Sequence, residues 1–275
     1  MSDKHRIVLA KEDFSPDECE LIKQLAGFDE NAPDPKAELD RCLYDYLVFQ
    51  NNYIFDSKKI RTDLEILELD YRVNYDHRIL KSIDSRIKSV KSICGKLEKK
   101  NIPLTLENAA FELADIAGIR VICYYMRDIY EIKNRLLAQD NVSLLKMSDY
   151  IAEPKPSGYR SLHLILSTLV HLPYKNVEVP VEIQLRTVAM DSWAGLEHVL
   201  KYKNPNGVSD EISDQLSDCA DVISETDAKM QEIYKSLSES NLNKKISITH
   251  SHIMRNLKNQ RCLACKNFFS KEYDH

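Results

Sequence analysis

The sequence predicts an α+β fold: a mixed sheet of about five strands packed with helices and followed by a long C-terminal helix. Three observations carry this. Strand-like and helix-like segments are interleaved through the middle of the chain. Two segments, Tyr159 to Thr168 and Val177 to Arg186, alternate apolar and polar residues at period two. From Asp210 to Ser238, Ile212, Leu216, Ala220, Ile223, Met230, Ile233 and Leu237 recur at helical spacing.

The elements follow in order. Ser15 before Pro16 reads as a helix cap with proline in the first turn. Pro33 and Pro35 mark a boundary. Residues 37–75 read as helix, with Leu64, Leu67 and Tyr71 on one side. Ser85 to Ser89 is short, basic and extended. A basic helix follows from Val90 to Lys100, with Ile93 and Leu97 inward, and another starts at Thr105. Ile116 to Tyr125 reads as a buried strand, Asp128 to Gln139 as a helix and Leu144 to Met147 as a strand. The rigid, turn-rich segment Glu153-Pro154-Lys155-Pro156-Ser157-Gly158 feeds the strand Tyr159 to Thr168. A hairpin-like connection leads to Val177–Arg186, and a helix spans Ala189 to Lys201. By organisation, residues 1–59 form a partly helical N-terminal extension, 60–240 the main domain with its C-terminal helix, and 241–275 a basic tail.

Composition narrows the function classes. The 275 residues are 43% apolar, enough for a sizeable core, and carry a formal net charge of −5. An acidic chain is a poor nucleic-acid coat, although local basic patches remain. No apolar run approaches a membrane span and the N-terminus lacks a signal peptide's apolar core, so a soluble, cytoplasmic protein is expected. Seven cysteines, an odd number, are expected as reduced thiols. Cys262 and Cys265, with His250 and His252 upstream, have ligand-like spacing, but it matches no standard zinc finger.

The polar faces of the predicted strands carry the chemistry. Asp115 precedes a strand bearing Arg120; the next offers Tyr159, Ser161 and His163; the last offers Glu182, Gln184 and Arg186. Two carboxylates, Asp115 and Glu182, are the number that Mg²⁺ uses when phosphate oxygens and water complete its shell. A carboxylate beside such an ion can accept a proton from an attacking hydroxyl. The Arg86–Lys100 segment supplies cations for phosphates, and a tyrosine after a glycine turn is a stacking platform for a base. Taken singly, each has a plainer reading. Asp115 could cap an element, Tyr159 could pack, His163 could be a satisfied interior histidine, and the lysines could line a solvated face. Their joint placement on one sheet favours a site.

These stretches resemble the synthetase domain of the RelA/SpoT family, and are most similar to the short stand-alone small alarmone synthetases. The resemblance rests on Arg86-Ile87-Lys88-Ser89 with Ser92 and Lys96, and on Asp115-Ile116-Ala117-Gly118-Ile119-Arg120. It rests also on Asp149-Tyr150-Ile151 with Lys155 through His163, and on Val181 through Thr187 followed by Ala189 through Trp193 and by Glu197-His198. It covers about residues 60–237. It implies a nucleotidyltransferase-like fold and a transfer of the β,γ-pyrophosphate of ATP to the 3′-hydroxyl of GTP or GDP, yielding AMP and (p)ppGpp. On that likeness Asp115 and Glu182 hold Mg²⁺ and Glu182 activates the hydroxyl. Arg86 and Arg120 sandwich the adenine, and Lys88, Ser92 and Lys96 meet the ATP phosphates. Tyr159 stacks on guanine, while Lys155, His163 and Gln184 line the acceptor side. Asp191 falls where the family meets the guanine edge, and a carboxylate there accepts from N1–H and N2–H. A homotetramer is a further implication.

Departures accompany the likeness. Val90-Lys91 stands where members often have Pro-Glu, and Ser192 where they often have an aromatic residue. No stretch corresponds to the hydrolase domain of long members, so synthesis without breakdown is expected. A second reading keeps the chemistry and changes the acceptor to the 3′ end of tRNA or to an adenosine nucleotide. The tail's Lys244, Lys245, Arg255, Lys258, Arg261 and Lys266 would then hold RNA. A binding module with a dead site is disfavoured by the intact Asp115, Arg120, Tyr159 and Glu182.

Overall fold

The computed structural model of the chain describes residues 14–203, 209 and 211–237. Contacts divide the chain into units Met1–Asp227 and Ala228–His275. The architecture below belongs to the first unit; of the second, residues 228–237 are described and are helical. The basic tail, with Cys262, Cys265, His250 and His252, lies outside the described residues.

Helix α1 spans Pro16–Leu25 and opens with a reciprocal cap. Ser15 Oγ accepts from the Glu18 N–H, and Glu18 Oε2 accepts from the Ser15 N–H at 3.0 Å. Helix α2, Pro35–Tyr75, is 41 residues long. Pro35, half of the apparent break, is its first residue, because that position needs no N–H donor. Asp34 caps it through the Lys36 and Ala37 amides, and it ends where Asp76 turns left-handed at φ 53°. It runs unbroken through residues 59 and 60. Strand β1 is Leu80–Ile87, helix α3 Val90–Lys99, helix α4 Leu106–Glu112 and strand β2 Ala117–Cys123. Helix α5, Met126–Leu137, precedes β3, Val142–Asp149, and β4, Leu162–Thr168. A small β5–β6 ribbon, Val170–His171 with Asn176–Val177, leads to β7, Val181–Thr187. Helix α6 is Val188–Lys203, and α7 covers residues 211–227 of this unit. No helix among the described residues is long and apolar enough to cross a membrane.

The sheet is mixed and five-stranded, in the order β1-β2-β7-β4-β3, with β2 and β7 parallel and the other neighbours antiparallel. One face carries Ala117, Ile119, Val121, Leu162, Leu164, Leu166, Val181, Ile183 and Leu185, all buried. That face joins one hydrophobic core with Ile60 and Leu64 of α2 and Ile129, Ile132 and Leu136 of α5. Period-two alternation then turns Arg120, His163, Glu182, Gln184 and Arg186 to the opposite face.

Two strand ends differ from expectation. The segment 177–186 is two strands, because Pro180 has no N–H for a ladder and the Val179 N–H goes instead to Asp56 Oδ2 at 3.3 Å. Asp56, fully buried on α2, also accepts from the Thr168 N–H at 3.3 Å and from the Thr168 hydroxyl. Burial pushes its carboxyl above the usual range, and these donors oppose that. Asp56→Ala leaves the Thr168 and Val179 donors without their partner, at a cost of about 2 kcal/mol. For a chain of this size the expected melting-temperature drop is about 4–8 °C by circular dichroism. Strand β4 starts at Leu162, not Tyr159. Ser161 is wholly buried and donates to the Leu185 carbonyl at 3.1 Å, so it faces β7 and not the polar side.

Candidate active site

The site grows out of the register of the three middle strands. Arg86 on β1 lies opposite Gly118, which lies opposite Glu182 on β7. In the next row Asp84, Arg120, Gln184 and His163 succeed one another across β1, β2, β7 and β4. These two rows floor a cavity of 190 Å³ lined by Asp84, Ser85, Arg86, Gly118, Arg120, Glu182 and Gln184. Gly118 keeps that floor low: a Cβ there would stand 3.8 Å from the Arg86 side chain, and a longer group would fill the space between Arg86 and Glu182. A larger groove of 290 Å³, lined by Tyr44, Leu47, Val48, Asn51, Asn52, Phe55 and Lys175, lies on α2 and contains no carboxylate. The smaller cavity is the one equipped for chemistry.

Cations gather at the cavity's β1–α3 edge. Ser89 caps α3 by accepting from the Ser92 N–H, and the two hydroxyls lie 3.0 Å apart. With Val90-Lys91 in place of Pro-Glu, the first turn of α3 carries no acidic residue, which leaves its amide end free to favour anions. Lys88 is half-buried just before this helix and its Nζ lies 3.0 Å from Asp115 Oδ2; Lys96, in the last turn of the helix, contacts the same oxygen. Burial pushes the Asp115 carboxyl up, but the ammonium groups of Lys96 and Lys88 outweigh it and hold the carboxyl below the usual range.

Glu182 is held from both sides. His163 Nδ1 lies 3.2 Å from its Oε1, and Gln184 Nε2 donates to its Oε2 at 2.9 Å. The His163 bond, with Gln184 assisting, pulls the carboxyl below the ordinary range against burial and against the charge of Asp115.

His163, Tyr159, Arg186, Gln184 and Glu182 meet in a closed hydrogen-bond ring. His163 Nε2 lies 2.8 Å from the Tyr159 hydroxyl, and Arg186 Nη2 donates to that hydroxyl at 2.7 Å and to Gln184 Oε1 at 3.2 Å. Gln184 returns the ring to Glu182. A guanidinium only donates, so the phenol turns its proton to Nε2, and a neutral His163 carries its own proton on Nδ1, toward Glu182. Arg186 Nη1 also reaches Asp191 Oδ1 at 3.2 Å, and Arg120 Nη1 approaches that oxygen at 3.8 Å. Asp191 is in the first turn of α6, which follows β7 directly because the Thr187 hydroxyl caps it by accepting the Met190 N–H at 3.1 Å.

Tyr159 sits on the loop before β4. The tight turn Lys155-Pro156-Ser157-Gly158 closes with Gly158 N–H to Lys155 O at 2.8 Å, proline at its second position. Gly158 has φ +83°, and a Cβ there would come within 2.6 Å of Ala220 Cβ on α7. Arg160 pairs with Asp221 at 2.8 Å, and Trp193 Nε1 donates to the Leu216 carbonyl at 3.1 Å, so α7 seats the loop. Lys155 Nζ stands 4.9 Å from the Tyr159 ring centroid and 4.5 Å from that of Tyr150.

Of the residues expected at the site from the sequence, Arg86, Arg120, Glu182 and Gln184 line the cavity. Lys88 and Lys96 meet at Asp115, with Ser92 at the cap of α3. Tyr159, His163 and Asp191 join Glu182 and Gln184 through the network around Arg186, and Lys155 lies beside Tyr159. Ser161 is the exception on the polar strands. Tyr150 was missed; it packs edge-on to His163 at 5.2 Å and to Tyr159 at 6.1 Å. Its signal was an aromatic residue at the end of the β3 strand. Asp84 was missed because Leu80–Asp84 shows no clear alternation.

A cleft with two carboxylates, a cationic edge and an aromatic platform is the site of a nucleotide-handling transferase on a mixed sheet. Residues 85–207 match the family model described as the region found in RelA/SpoT proteins. The chain is 39% identical over 183 residues to GTP pyrophosphokinase YwaC of Bacillus subtilis (strain 168), covering 66% of this chain and 87% of that protein. It superposes on small alarmone synthetase 1 from Bacillus subtilis bound to its product pppGpp with a TM-score of 0.62 and 32% identity, covering 70% of this chain and 97% of that one. The same synthetase bound to AMPCPP gives a TM-score of 0.58 and 28% identity over 71% and 98% of the two chains. The chain belongs to the RelA/SpoT family, on the side of the small alarmone synthetases, and has their nucleotidyltransferase-like fold.

Proposed function

We propose that the chain transfers the β,γ-pyrophosphate of ATP to the 3′-hydroxyl of GTP or GDP, releasing AMP and forming (p)ppGpp. The observation that supports this is the cavity lined by Arg86, Arg120, Glu182 and Gln184, with Glu182 linked to Tyr159 through His163 and with the Lys88–Asp115–Lys96 cluster at the adjoining start of β2. The names of the relatives, GTP pyrophosphokinase and small alarmone synthetase, support the same reading.

In this reading the Arg86 and Arg120 guanidinium planes sandwich the adenine, and Lys88, Ser92 and Lys96 meet the triphosphate. Tyr159 stacks on the guanine, Lys155 and His163 flank it, and Asp191 accepts from the guanine edge. Glu182 takes the proton of the 3′-hydroxyl, and Gln184 and His163 hold its carboxylate in place. The site fits Mg²⁺. Asp115 and Glu182 would hold it, with phosphate oxygens and water completing its shell. When bound, the ion would offset charge on the transferring group.

The test is an acceptor assay with γ-labelled ATP and, separately, GTP, GDP, ATP or deacylated tRNA. Label is expected on the guanine nucleotides. Label on tRNA alone, or on adenosine nucleotides alone, would overturn the reading.

The pH profile adds a second check. Glu182 has a lowered pKa in the folded chain, so its ionised form, and the stability it contributes, persist above the ordinary carboxylate range and are lost only as pH falls through the folded value. The acid limb of kcat/KM is expected below the ordinary glutamate range, about pH 4.3. His163→Ala removes the strongest cause and moves that limb upward. A limb that stays where it was would show that His163 does not act on Glu182.

A further inference from the structure

Lys88 and Lys96 converge on a single oxygen, Asp115 Oδ2. The backbone of Lys88 is fixed, its N–H donating to the Ile116 carbonyl at 2.8 Å, so only its side chain can move away. Lys96 projects from α3 with its side chain 45% exposed, and has room to swing. On β7, both oxygens of Glu182 are held by His163 and Gln184, with no lysine among them. The formal charges of Lys88, Lys96, Asp115 and Glu182 cancel.

This arrangement sets an order. A bare divalent cation would have to displace two ammonium groups to reach Asp115 Oδ2, and at Oδ1 it would still lie against their charges. A triphosphate reverses the balance. Its oxygens give the ammonium groups better partners, Asp115 Oδ2 is released, and the phosphates supply the negative charge that the cation needs. We propose that Lys88 and Lys96 act as an internal counter-cation for Asp115, so that the divalent metal enters the site only together with the phosphates of the donor nucleotide. The inference rests on the pyrophosphokinase reading, because it takes a nucleoside triphosphate as the ligand that draws the lysines away. It extends that reading by giving the two lysines a task in the free enzyme: they keep the carboxylate compensated and bar metal alone.

The experiment uses the full chain with Mn²⁺ as the probe. Mn²⁺ binding is read by electron paramagnetic resonance and by water-proton relaxation, which separates metal on the protein from metal on free nucleotide. AMPCPP binding is read independently by calorimetry. Without nucleotide the wild-type chain is expected to bind Mn²⁺ at least about tenfold more weakly than with saturating AMPCPP. Lys96→Met, and independently Lys88→Met, should tighten nucleotide-free Mn²⁺ binding by about tenfold, whereas Lys96→Arg, which keeps the charge, should not. Adding Asp115→Asn to Lys96→Met should abolish the gain. Equal Mn²⁺ affinity with and without AMPCPP, or no gain in either methionine variant, would overturn the proposal and leave the pyrophosphokinase reading standing. Failure to bind AMPCPP in the presence of Mn²⁺ would overturn the underlying functional reading, and the inference with it.

Discussion

Glu182→Gln is expected to lower kcat by roughly 1,000-fold or more, the range reached when a positioned base is lost. The substitution keeps the size of the side chain and removes its charge. It also changes the hydrogen-bond count. Glu182 now accepts from His163 at one oxygen and from Gln184 at the other. An amide has one carbonyl, so one of these donors loses its acceptor. That structural cost is of the order of 1 kcal/mol, a few degrees of melting temperature, and the chain should still fold. The two effects separate cleanly: a near-normal circular dichroism spectrum with turnover lost. ATP affinity should change far less than kcat, because the adenine-side residues Arg86, Lys88, Lys96 and Arg120 are untouched. Retained turnover would remove Glu182 from the chemistry.

Tyr159→Ala is expected to raise KM for the guanine acceptor about 5- to 150-fold, the worth of one base–aromatic stack, with a much smaller change in KM for ATP. Tyr159 carries two functions that substitution can divide. Its ring, beside Lys155, is the proposed stacking surface. Its hydroxyl receives Arg186 and meets His163. Tyr159→Phe keeps the ring and deletes the hydroxyl, leaving the buried Arg186 with one partner fewer; Arg186 Nε already lacks one. The phenylalanine variant should therefore keep most of the acceptor affinity and lose part of kcat, because the ring that holds Glu182 is opened. Equal loss for ATP and the guanine nucleotide in the alanine variant would contradict the stacking role.

Much of this architecture is legible in the sequence because the decisive signals are local. The alternation in Val181 through Thr187 is enough to place Glu182 and Gln184 opposite the core. Leu64, Leu67 and Tyr71 mark α2, and the run around Ile119 marks a buried central strand. What escaped depends on partners distant in sequence. The break before β7 needs Asp56, which draws the Val179 amide out of the ladder across 123 positions of chain. Pro35 reads as a stop, yet a proline at a helix's first residue is also a start, and Asp34 as its cap decides which. Edge strand β1 hides its first half because Leu80–Asp84 is mixed in character.

The site divides the same way. Which residues face the cleft follows from strand parity; which of them touch does not. Arg186 was unresolved from sequence, yet it links Tyr159, Gln184 and Asp191. Those contacts exist because the Lys155–Gly158 turn folds back and α7 presses on it at Ala220. Ser161 was misplaced for the same reason: the regular strand begins one residue later. The pairing of Lys88 and Lys96 on one oxygen of Asp115 arises from the cap of α3 and the end of β1 meeting the start of β2, a junction no periodicity reveals.

The central claim is that an intact pyrophosphate group moves from ATP to a guanine nucleotide within this cleft. Phosphorus NMR of the purified chain with ATP, GTP and Mg²⁺ tests it directly. AMP and a guanosine carrying a new 3′-diphosphate should appear in equal amounts. Formation of ADP, or of free pyrophosphate without a modified guanine nucleotide, would contradict the account.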